Sequence, residues 1–135
     1  MAHADSYKEL DVYILVRQLA NDVFQVSKKF PKEEMYSLTD QIRRSSRSIG
    51  AQIAEAWAKR RYEKHFISKL TDADAEQQET KHWIDVASDC GYLSDEAVKD
   101  LSTRYGSVGR MLNTMITKSH LFCFKEQDSL TADNR

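Results

Sequence analysis

Apolar residues recur at steps of three and four along four long stretches of this chain, and few residues interrupt them. The 135 residues include only four glycines and one proline. Steps of three and four keep side chains on one face of an α-helix, and no stretch shows the alternation of a half-buried strand. The pattern therefore predicts an all-α protein with helices at about residues 6–29, 33–61, 63–90 and 94–120.

The apolar faces of these four helices supply one hydrophobic core. In chain order they are Val12, Val16, Leu19, Val23, Val26 and Phe30; Leu38, Ile42, Ser45, Ile49, Ile53 and Trp57; Phe66, Leu70, Ala73, Gln77, Thr80, Ile84 and Ala87; and Val98, Leu101, Tyr105, Val108, Leu112 and Met115. The third face is the weakest of the four. A chain of this length forms about one domain, and helices with short links favour an antiparallel up-and-down four-helix bundle. We expect the bundle to span residues 1–123 and a polar, disordered tail to occupy 124–135.

Several residues predict where the helices begin and end. Phe30 precedes Pro31, which disfavours helical backbone and closes the first helix. The second helix has two candidate starts, one at Glu33 and Glu34 and one in the capping-box-like run 37–40. In the last connection, Gly91 suits a left-handed helix cap and Ser94 an N-cap.

Three helices carry more apolar or small residues than one core requires. They are Leu10, Tyr13, Ile14, Leu15, Ala20 and Phe24 on the first helix, Ala51, Ala54 and Ala58 on the second, and Ser102, Gly106, Gly109 and Asn113 on the fourth. Such surplus faces predict contacts between subunits in a homo-oligomer. The alternative is that a wide apolar face belongs to a well-buried helix.

The net charge of -1 conceals a strong asymmetry between the second and third helices. Seven cations lie in the second helix and just beyond it: Arg43, Arg44, Arg47, Lys59, Arg60, Arg61 and Lys64. Six acids follow at Asp72, Asp74, Glu76, Glu79, Asp85 and Asp89. The cations could form salt bridges with these acids, or they could bind the phosphates of a nucleic acid, which suit the planar fork of arginine.

The sequence contains no pattern typical of an enzyme. Glu79 and His82 form a single ExxH motif, but a carboxylate-bridged iron site in a bundle needs a second one and two further glutamates. The serines at 45, 46 and 48 have no glycine-rich elbow and no histidine base nearby. We therefore expect no catalytic residue, no metal site and no cofactor.

The cysteines and the hydropathy indicate a cytoplasmic protein that does not enter a membrane. Cys90 and Cys123 are far apart and lack CxxC spacing, so we expect reduced, semi-buried thiols. No stretch approaches the roughly 18 uninterrupted apolar residues of a membrane helix, and the N-terminus does not resemble a signal peptide.

Four short motifs follow one another in the first half of the chain. They are FPKEE at 30–34, LTDQIRR at 38–44, SI at 48–49 and IAE at 53–55. In this order they resemble the bacterial four-helix bundle proteins encoded in intervening sequences of 23S ribosomal RNA genes. The similarity extends from Tyr7 to about Met115, although the third and fourth helices match mainly in length and pattern. That family is similar in fold to the accessory variability determinant proteins of diversity-generating retroelements.

The resemblance carries expectations about assembly and partners. It implies an up-and-down bundle assembled as a homopentamer, without known enzymatic activity, whose fold relatives engage nucleic acid and a reverse transcriptase. Arg43 and Arg44 occupy the paired basic positions of the family. Ala56 stands where the family usually has glycine, which favours a second helix that runs on toward Arg61.

These observations together predict a non-enzymatic, oligomeric helical bundle that binds RNA or DNA through a basic surface on its second helix. The alternative prediction is a protein-interaction scaffold, in which the same arginines pair with acids of another subunit or of a partner protein.

Overall fold

The computed structural model describes residues 4–125, which form four α-helices. They are α1 (Asp11–Ser27), α2 (Leu38–Ala58), α3 (Glu63–Asp89) and α4 (Asp95–Thr117), with short 3₁₀ turns at Tyr7–Glu9, Lys32–Glu34 and Ser119–Leu121. No strand occurs within residues 4–125. The prediction of an all-α, four-helix protein is confirmed.

Contacts between α2 and α3 show that these helices run in opposite directions. The hydroxyls of Ser45 and Thr80 lie 2.9 Å apart, and further along α2, Glu55 lies 3.9 Å from Lys69. Residue numbers therefore rise along one helix as they fall along the other. Each helix packs against two neighbours, α1 on α2 and α4, and α3 on α2 and α4. Because short connections join consecutive helices, this arrangement is an up-and-down four-helix bundle.

The core contains most of the residues that the sequence pattern predicts. The seven buried residues of α3 are the seven predicted ones, including Gln77 and Thr80. On the other helices, Val26, Trp57 and Val98 are only partly buried, whereas Ser27, Thr39, Ser46 and Ala56 are buried although the pattern does not include them. The buried hydroxyls of Ser27 and Ser46 are satisfied, because they donate to the carbonyls of Phe24 and Arg43.

The first two helices begin later than predicted. Residues 7–9 form a 3₁₀ turn, so α1 begins at Asp11 and not near residue 6. Of the two candidate starts of α2, the later one is right: Glu33 and Glu34 lie in a 3₁₀ turn and the helix begins at Leu38. The predicted capping box is absent, because the Ser37 hydroxyl donates to the Glu34 carboxylate, 2.7 Å away, and makes no side-chain cap.

The second helix ends at Ala58, so the prediction that it continues to Arg61 is wrong. Alanine at position 56 allows helix, as expected, but the chain turns three residues later. There Nε of Arg60 donates to the carbonyl oxygen of Trp57 at 2.9 Å. This side chain satisfies one of the carbonyls that a helix leaves free at its C-terminus, so the helix can end without glycine or proline.

The predicted caps of the α3–α4 connection are confirmed. Gly91 has φ of 77°, and its N–H donates to the carbonyl of Ser88 while the N–H of Tyr92 donates to that of Ala87. These two bonds are the Schellman arrangement. The hydroxyl of Ser94 accepts from the N–H of Ala97 at 3.1 Å and caps α4.

One hydrogen bond ties the α1–α2 connection to the α3–α4 connection. The hydroxyl of Tyr92 donates to Glu34 at 2.9 Å, and the Tyr92 ring packs against Phe30 at 5.6 Å. Hydrogen bonds from Ser37 and then Tyr92 lower the pKa of Glu34 below its usual value. The bond to Glu34 in turn raises the pKa of Tyr92 to about 12.

The surplus faces divide between buried and exposed residues. Leu10 is buried, but the Ile14 residue is 44% exposed. On α4, a Cβ added to Gly109 would lie 3.0 Å from Nε2 of Gln77, so this glycine already accommodates α3 of the same chain.

No helix in the described part of the chain is long and apolar enough to cross a membrane. Of the predicted tail, residues 126–135 lie outside the described residues, and Phe124 donates its N–H to the carbonyl of Arg60.

Candidate nucleic-acid interface

The seven predicted binding residues fall into three groups on the bundle surface. Arg43 and Arg47 face α1, Arg44 faces α3, and the other four lie around the α2–α3 connection. Successive residues of an α-helix are about 100° apart, so the adjacent Arg43 and Arg44 leave α2 in different directions. The helix also rises about 1.5 Å per residue, which puts Arg47 roughly 18 Å from Lys59 along the axis. The cations therefore do not form one continuous patch.

Arg44 is neutralised by acids of α3. One of its terminal nitrogens lies 2.5 Å from Oε2 of Glu79, and the other lies 4.0 Å from Glu76. The same Glu79 oxygen accepts from Nε1 of Trp83 at 3.0 Å. Burial, and then the charge of Glu79, raise the pKa of Glu76. The intramolecular salt bridge considered from the charge pattern is therefore present at this arginine.

Phe24 of α1 is surrounded by three cations. The guanidinium carbons of Arg43 and Arg47 lie 4.6 and 5.3 Å from the centre of its ring, and Nζ of Lys28 lies 4.8 Å from it. Each such cation–π contact contributes about 0.5–1 kcal/mol at an exposed site. We call Phe24, Lys28, Arg43 and Arg47 the Phe24 cluster. The attraction of the ring holds three like charges together on one surface.

A buried serine fixes the position of Arg43 within this cluster. Nε of Arg43 donates to the hydroxyl of Ser27 at 2.7 Å, and this hydroxyl donates to the carbonyl of Phe24 at 2.9 Å. The bond uses Nε only, and within residues 4–125 the terminal nitrogens of Arg43 make no hydrogen bond. The end of the fork that binds phosphate oxygens therefore has no hydrogen-bond partner among the described residues.

No carboxylate neutralises the two arginines of the Phe24 cluster within the described chain. Neither Arg43 nor Arg47 forms an ion pair with any of residues 4–125, in contrast to Arg44. Arg47 is exposed and Arg43 is half-buried. The local field at this surface is consequently positive, which attracts anions.

An open groove of about 430 Å³ lies beside the Phe24 cluster, between α1 and α2. Its lining residues are Val16, Arg17, Ala20, Asn21, Phe24, Ser46, Arg47 and Gly50. A Cβ added to Gly50 would lie 3.5 Å from the Tyr13 ring, so the helices approach closely at the groove's base. Arg17 adds a further cation at the rim, where its guanidinium donates to the Tyr13 hydroxyl at 3.0 Å.

The remaining predicted cations surround the α2–α3 connection and form what we call the turn cluster: Lys59, Arg60, Arg61 and Lys64. The guanidinium of Arg60 lies between two rings, 3.7 Å from the centre of Trp57 and 5.2 Å from that of Phe124. Burial lowers the pKa of Arg60, although arginine stays protonated at neutral pH. The guanidinium of Arg61 lies 6.0 Å from the Tyr62 ring. Lys59 and Lys64 are exposed, and neither forms an ion pair with residues 4–125.

The acids near the turn cluster are engaged elsewhere. The Glu63 carboxylate accepts from the Ser119 hydroxyl at 2.5 Å. Glu55 lies 3.9 Å from Lys69, which also lies 3.9 Å from Asp72. Among residues 4–125, none of these acids forms an ion pair with Lys59 or Lys64.

Sequence reasoning missed the part that α1 contributes to this surface. The apolar pattern places Phe24 on a surplus face, and the charge pattern does not include Arg17 or Lys28. The available signal was the i, i+4 spacing of Arg43 and Arg47, which places both on one face of α2. Their alignment with Phe24 depends on the register between α1 and α2, which one sequence does not reveal.

The other reactive residues that the structure describes do not form a site. His82 is exposed and packs edge-on against Trp83 at 4.7 Å, while Glu79 of the same ExxH motif turns to Arg44. Within residues 4–125, no three histidine, cysteine or acidic side chains group as metal ligands would. Cys90 is exposed, not semi-buried as predicted, because it lies at the end of α3. Cys123 is partly buried, and burial raises its pKa to about 11.

Comparison with known proteins identifies the family. The family model described as 23S rRNA-intervening sequence protein matches residues 8–114. The chain belongs to this family. A solved structure supports the same assignment: a protein of unknown function from the S23 ribosomal protein family of Bacteroides thetaiotaomicron. It shares 26% sequence identity with a TM-score of 0.71, over 78% of this chain and 95% of that one. No curated protein matches this chain significantly.

The match to the 23S rRNA-intervening sequence protein family includes the Phe24 cluster and the four cations of the turn cluster. It ends at residue 114, before the 3₁₀ turn at Ser119–Leu121 and before Phe124. Of the two rings that pack against Arg60, Trp57 therefore lies inside the matched region and Phe124 outside it.

Proposed function

We propose that this protein is a non-enzymatic helical bundle that binds nucleic acid through basic residues of α2. The observation that carries the proposal is the Phe24 cluster, in which Arg43 and Arg47 are held on an aromatic ring without a carboxylate partner among residues 4–125. An arginine kept positively charged and ordered before binding loses less conformational entropy when it meets a phosphate.

The geometry suits contacts to the phosphate backbone of a nucleic acid and not recognition of its base sequence. The terminal nitrogens of Arg43 and the exposed guanidinium of Arg47 present a fork that matches phosphate oxygens. Lys28 adds a third positive charge beside the same ring. Such contacts release counterions, so the affinity should fall steeply with salt and depend little on sequence.

Assembly of several subunits would strengthen a weak individual site. We extend the proposal to a ring-shaped homo-oligomer, for which the family resemblance favours five subunits, with a nucleic-acid-processing protein such as a reverse transcriptase as a further candidate partner. The exposed Ile14 supports subunit contacts on α1. Repetition of the basic surfaces around a ring would raise the avidity for one nucleic-acid chain. Light scattering tests the proposed assembly. We expect the mass of a defined oligomer, and the mass of a monomer would contradict the ring.

The binding experiment uses a fluorescently labelled RNA of arbitrary sequence and measures anisotropy between about 50 and 200 mM salt. For single strands each phosphate contact contributes about -0.7 to the slope of log affinity against log salt. The double variant Arg43→Gln/Arg47→Gln should therefore flatten that slope by about 1.4. Arg110→Gln is the charge control, because Arg110 is an exposed residue of α4 whose guanidinium bonds, among residues 4–125, only Ser107.

The alternative function is a protein-interaction scaffold. Arg44 shows that α2 can use an arginine for an ion pair, here with Glu79 of its own chain. A scaffold would leave RNA binding weak, insensitive to salt and unaffected by the Arg43→Gln/Arg47→Gln substitutions. That outcome would overturn the nucleic-acid proposal and favour an acidic protein surface as partner.

A further inference from the structure

The two ends of the bundle both expose aromatic side chains but carry opposite charge. At one end, Tyr36 is 94% exposed in the α1–α2 connection, residues 28–37, which has three lysines and two glutamates. The α3–α4 connection at the same end is flanked by Asp89, Asp95 and Glu96, so five acids outnumber the three lysines there. At the other end, Tyr62 is 57% and Phe124 52% exposed. Residues 59–65, which are the connection at that end and the first turn of α3, include four cations and the single acid Glu63. Aromatic rings and positive charge therefore coincide at only one of these two ends.

The exposed rings at the basic end are held in place by their neighbours. Tyr62 packs against His65 with ring centres 5.4 Å apart, and Arg61 approaches the same ring. The Phe124 backbone donates to the carbonyl of Arg60, and the Arg60 guanidinium lies against its ring. Both rings are thus ordered on one side and open to solvent on the other. An ordered, half-exposed ring offers a flat surface on which another ring can stack.

We infer that the α2–α3 end of the bundle binds single-stranded nucleic acid by stacking unpaired bases on Tyr62 and Phe124. The inference rests on the proposed function and adds the kind of nucleic acid to it. Phosphates next to the stacked bases would contact Lys59 and Lys64, which are exposed and form no ion pair with residues 4–125. Aromatic stacking combined with a basic surface is how sequence-tolerant single-strand binding works, because every base has a face that can stack.

A duplex cannot use this surface in the same way. Its bases already stack on each other, so only its phosphates are available to the lysines, and the rings gain nothing. The selectivity of the turn cluster therefore comes from Tyr62 and Phe124, while its charge attracts single strands and duplexes alike. The Phe24 cluster has no such selectivity, since three cations already surround its ring.

The test compares probes that differ only in the presence of bases. One is an oligonucleotide of about twelve thymidylates, a length within the usual site size, and the other is an abasic strand with the same number of phosphates. Base stacking of 1–3 kcal/mol per ring corresponds to roughly a 5- to 150-fold difference in affinity. We expect the thymidylate strand to bind at least about 5-fold more tightly than the abasic strand.

Substitutions then assign that difference to the rings. Tyr62→Leu/Phe124→Leu should reduce binding of the thymidylate strand to the level of the abasic strand and leave binding of the abasic strand unchanged. Tyr36→Leu is the matched control, because it removes an exposed tyrosine from the acidic end and should change neither affinity. Ultraviolet cross-linking of the thymidylate strand to the wild-type protein gives a second readout, with cross-links expected at Tyr62 or Phe124.

The outcomes separate failure of this inference from failure of the proposed function. Equal, salt-sensitive binding of the thymidylate and abasic strands would overturn the stacking inference while phosphate binding stands. Absence of binding by either strand would overturn the inference, and absence of RNA binding as well would overturn the proposed function. A poly-glutamate peptide that bound as tightly as the thymidylate strand would also overturn the inference and indicate an acidic protein partner at this end.

Discussion

Arg43 and Arg44 are neighbours in the chain, yet their guanidinium groups lie on opposite flanks of α2. Arg43 lies 4.6 Å from the centre of the Phe24 ring on α1, and Arg44 lies 2.5 Å from Glu79 on α3. One arginine is held by an uncharged aromatic ring and the other by a carboxylate. The same residue type therefore has two roles, since only the first keeps its positive charge available to an outside anion.

The two acids near Arg44 should respond differently when each loses its charge. Glu79→Gln should lower the free energy of unfolding by about 0.2–1 kcal/mol, the usual range for an exposed ion pair. Glu76→Gln should leave the free energy unchanged or increase it, because burial and the neighbouring Glu79 disfavour the charged form of Glu76. Urea denaturation of the wild-type protein and both variants at neutral pH measures these changes in the free energy of unfolding. A larger loss in Glu76→Gln than in Glu79→Gln would contradict the assignment of Arg44 to Glu79.

Two glycine-to-alanine substitutions should change stability in opposite directions. At Gly91, with φ of 77°, alanine should destabilise the protein by about 1 kcal/mol through backbone strain, although no atom lies within 4 Å of the added Cβ. At Gly106, inside α4, alanine should stabilise it by up to about 1 kcal/mol, because the added Cβ would meet only the flexible Arg110 side chain at 3.6 Å. Thermal unfolding of the two variants side by side tests both signs, and stabilisation by Gly91→Ala would refute the cap.

The bond between Tyr92 and Glu34 predicts a loss of stability in alkaline solution. The pKa of Tyr92 is raised to about 12, with the hydrogen bond to Glu34 as the largest cause. A raised pKa in the folded state means that the contribution is complete below the unfolded value of about 10 and is lost as the pH rises through 12. The wild-type protein should therefore lose stability relative to Tyr92→Phe between about pH 10 and 12. Parallel curves for the two proteins over that range would show that the bond contributes nothing.

The acid side of the same bond gives an independent check. Hydrogen bonds from Ser37 and Tyr92 lower the pKa of Glu34, so its contribution to stability is present above the unfolded pKa and is lost as the pH falls through the folded value. In Tyr92→Phe one of the two donors is missing, and the pKa of Glu34 should rise toward its ordinary value. Carboxyl NMR titration of both proteins measures this shift directly.

Features of the fold that depend on one segment of the sequence were predictable, and features that depend on contacts between side chains were not. The seven core positions of α3 were predicted completely because helical periodicity is a property of the segment itself. The end of α2 was missed because it depends on the Arg60 side chain turning back to the Trp57 carbonyl. The start of α2 was ambiguous since Glu33 and Glu34 favour a helix start, yet they lie in a 3₁₀ turn tied to Tyr92, far away in the sequence.

The candidate site was predictable in its residue types but not in its grouping. The charge pattern identified Arg43, Arg44 and Arg47 as one set. Their separation depends on which neighbour each side of α2 meets, namely Phe24 on one side and Glu79 on the other. Both contacts join residues far apart in sequence, and their register is set only when the helices pack.

The most direct test of the account compares single substitutions at these two adjacent arginines. RNA affinity would be measured against salt for Arg43→Gln and Arg44→Gln, which remove the same charge from neighbouring positions. The account predicts that Arg43→Gln weakens binding and flattens the salt slope by about 0.7, whereas Arg44→Gln leaves the slope unchanged because Glu79 already neutralises that arginine. A slope that flattens as much or more in Arg44→Gln would contradict the account.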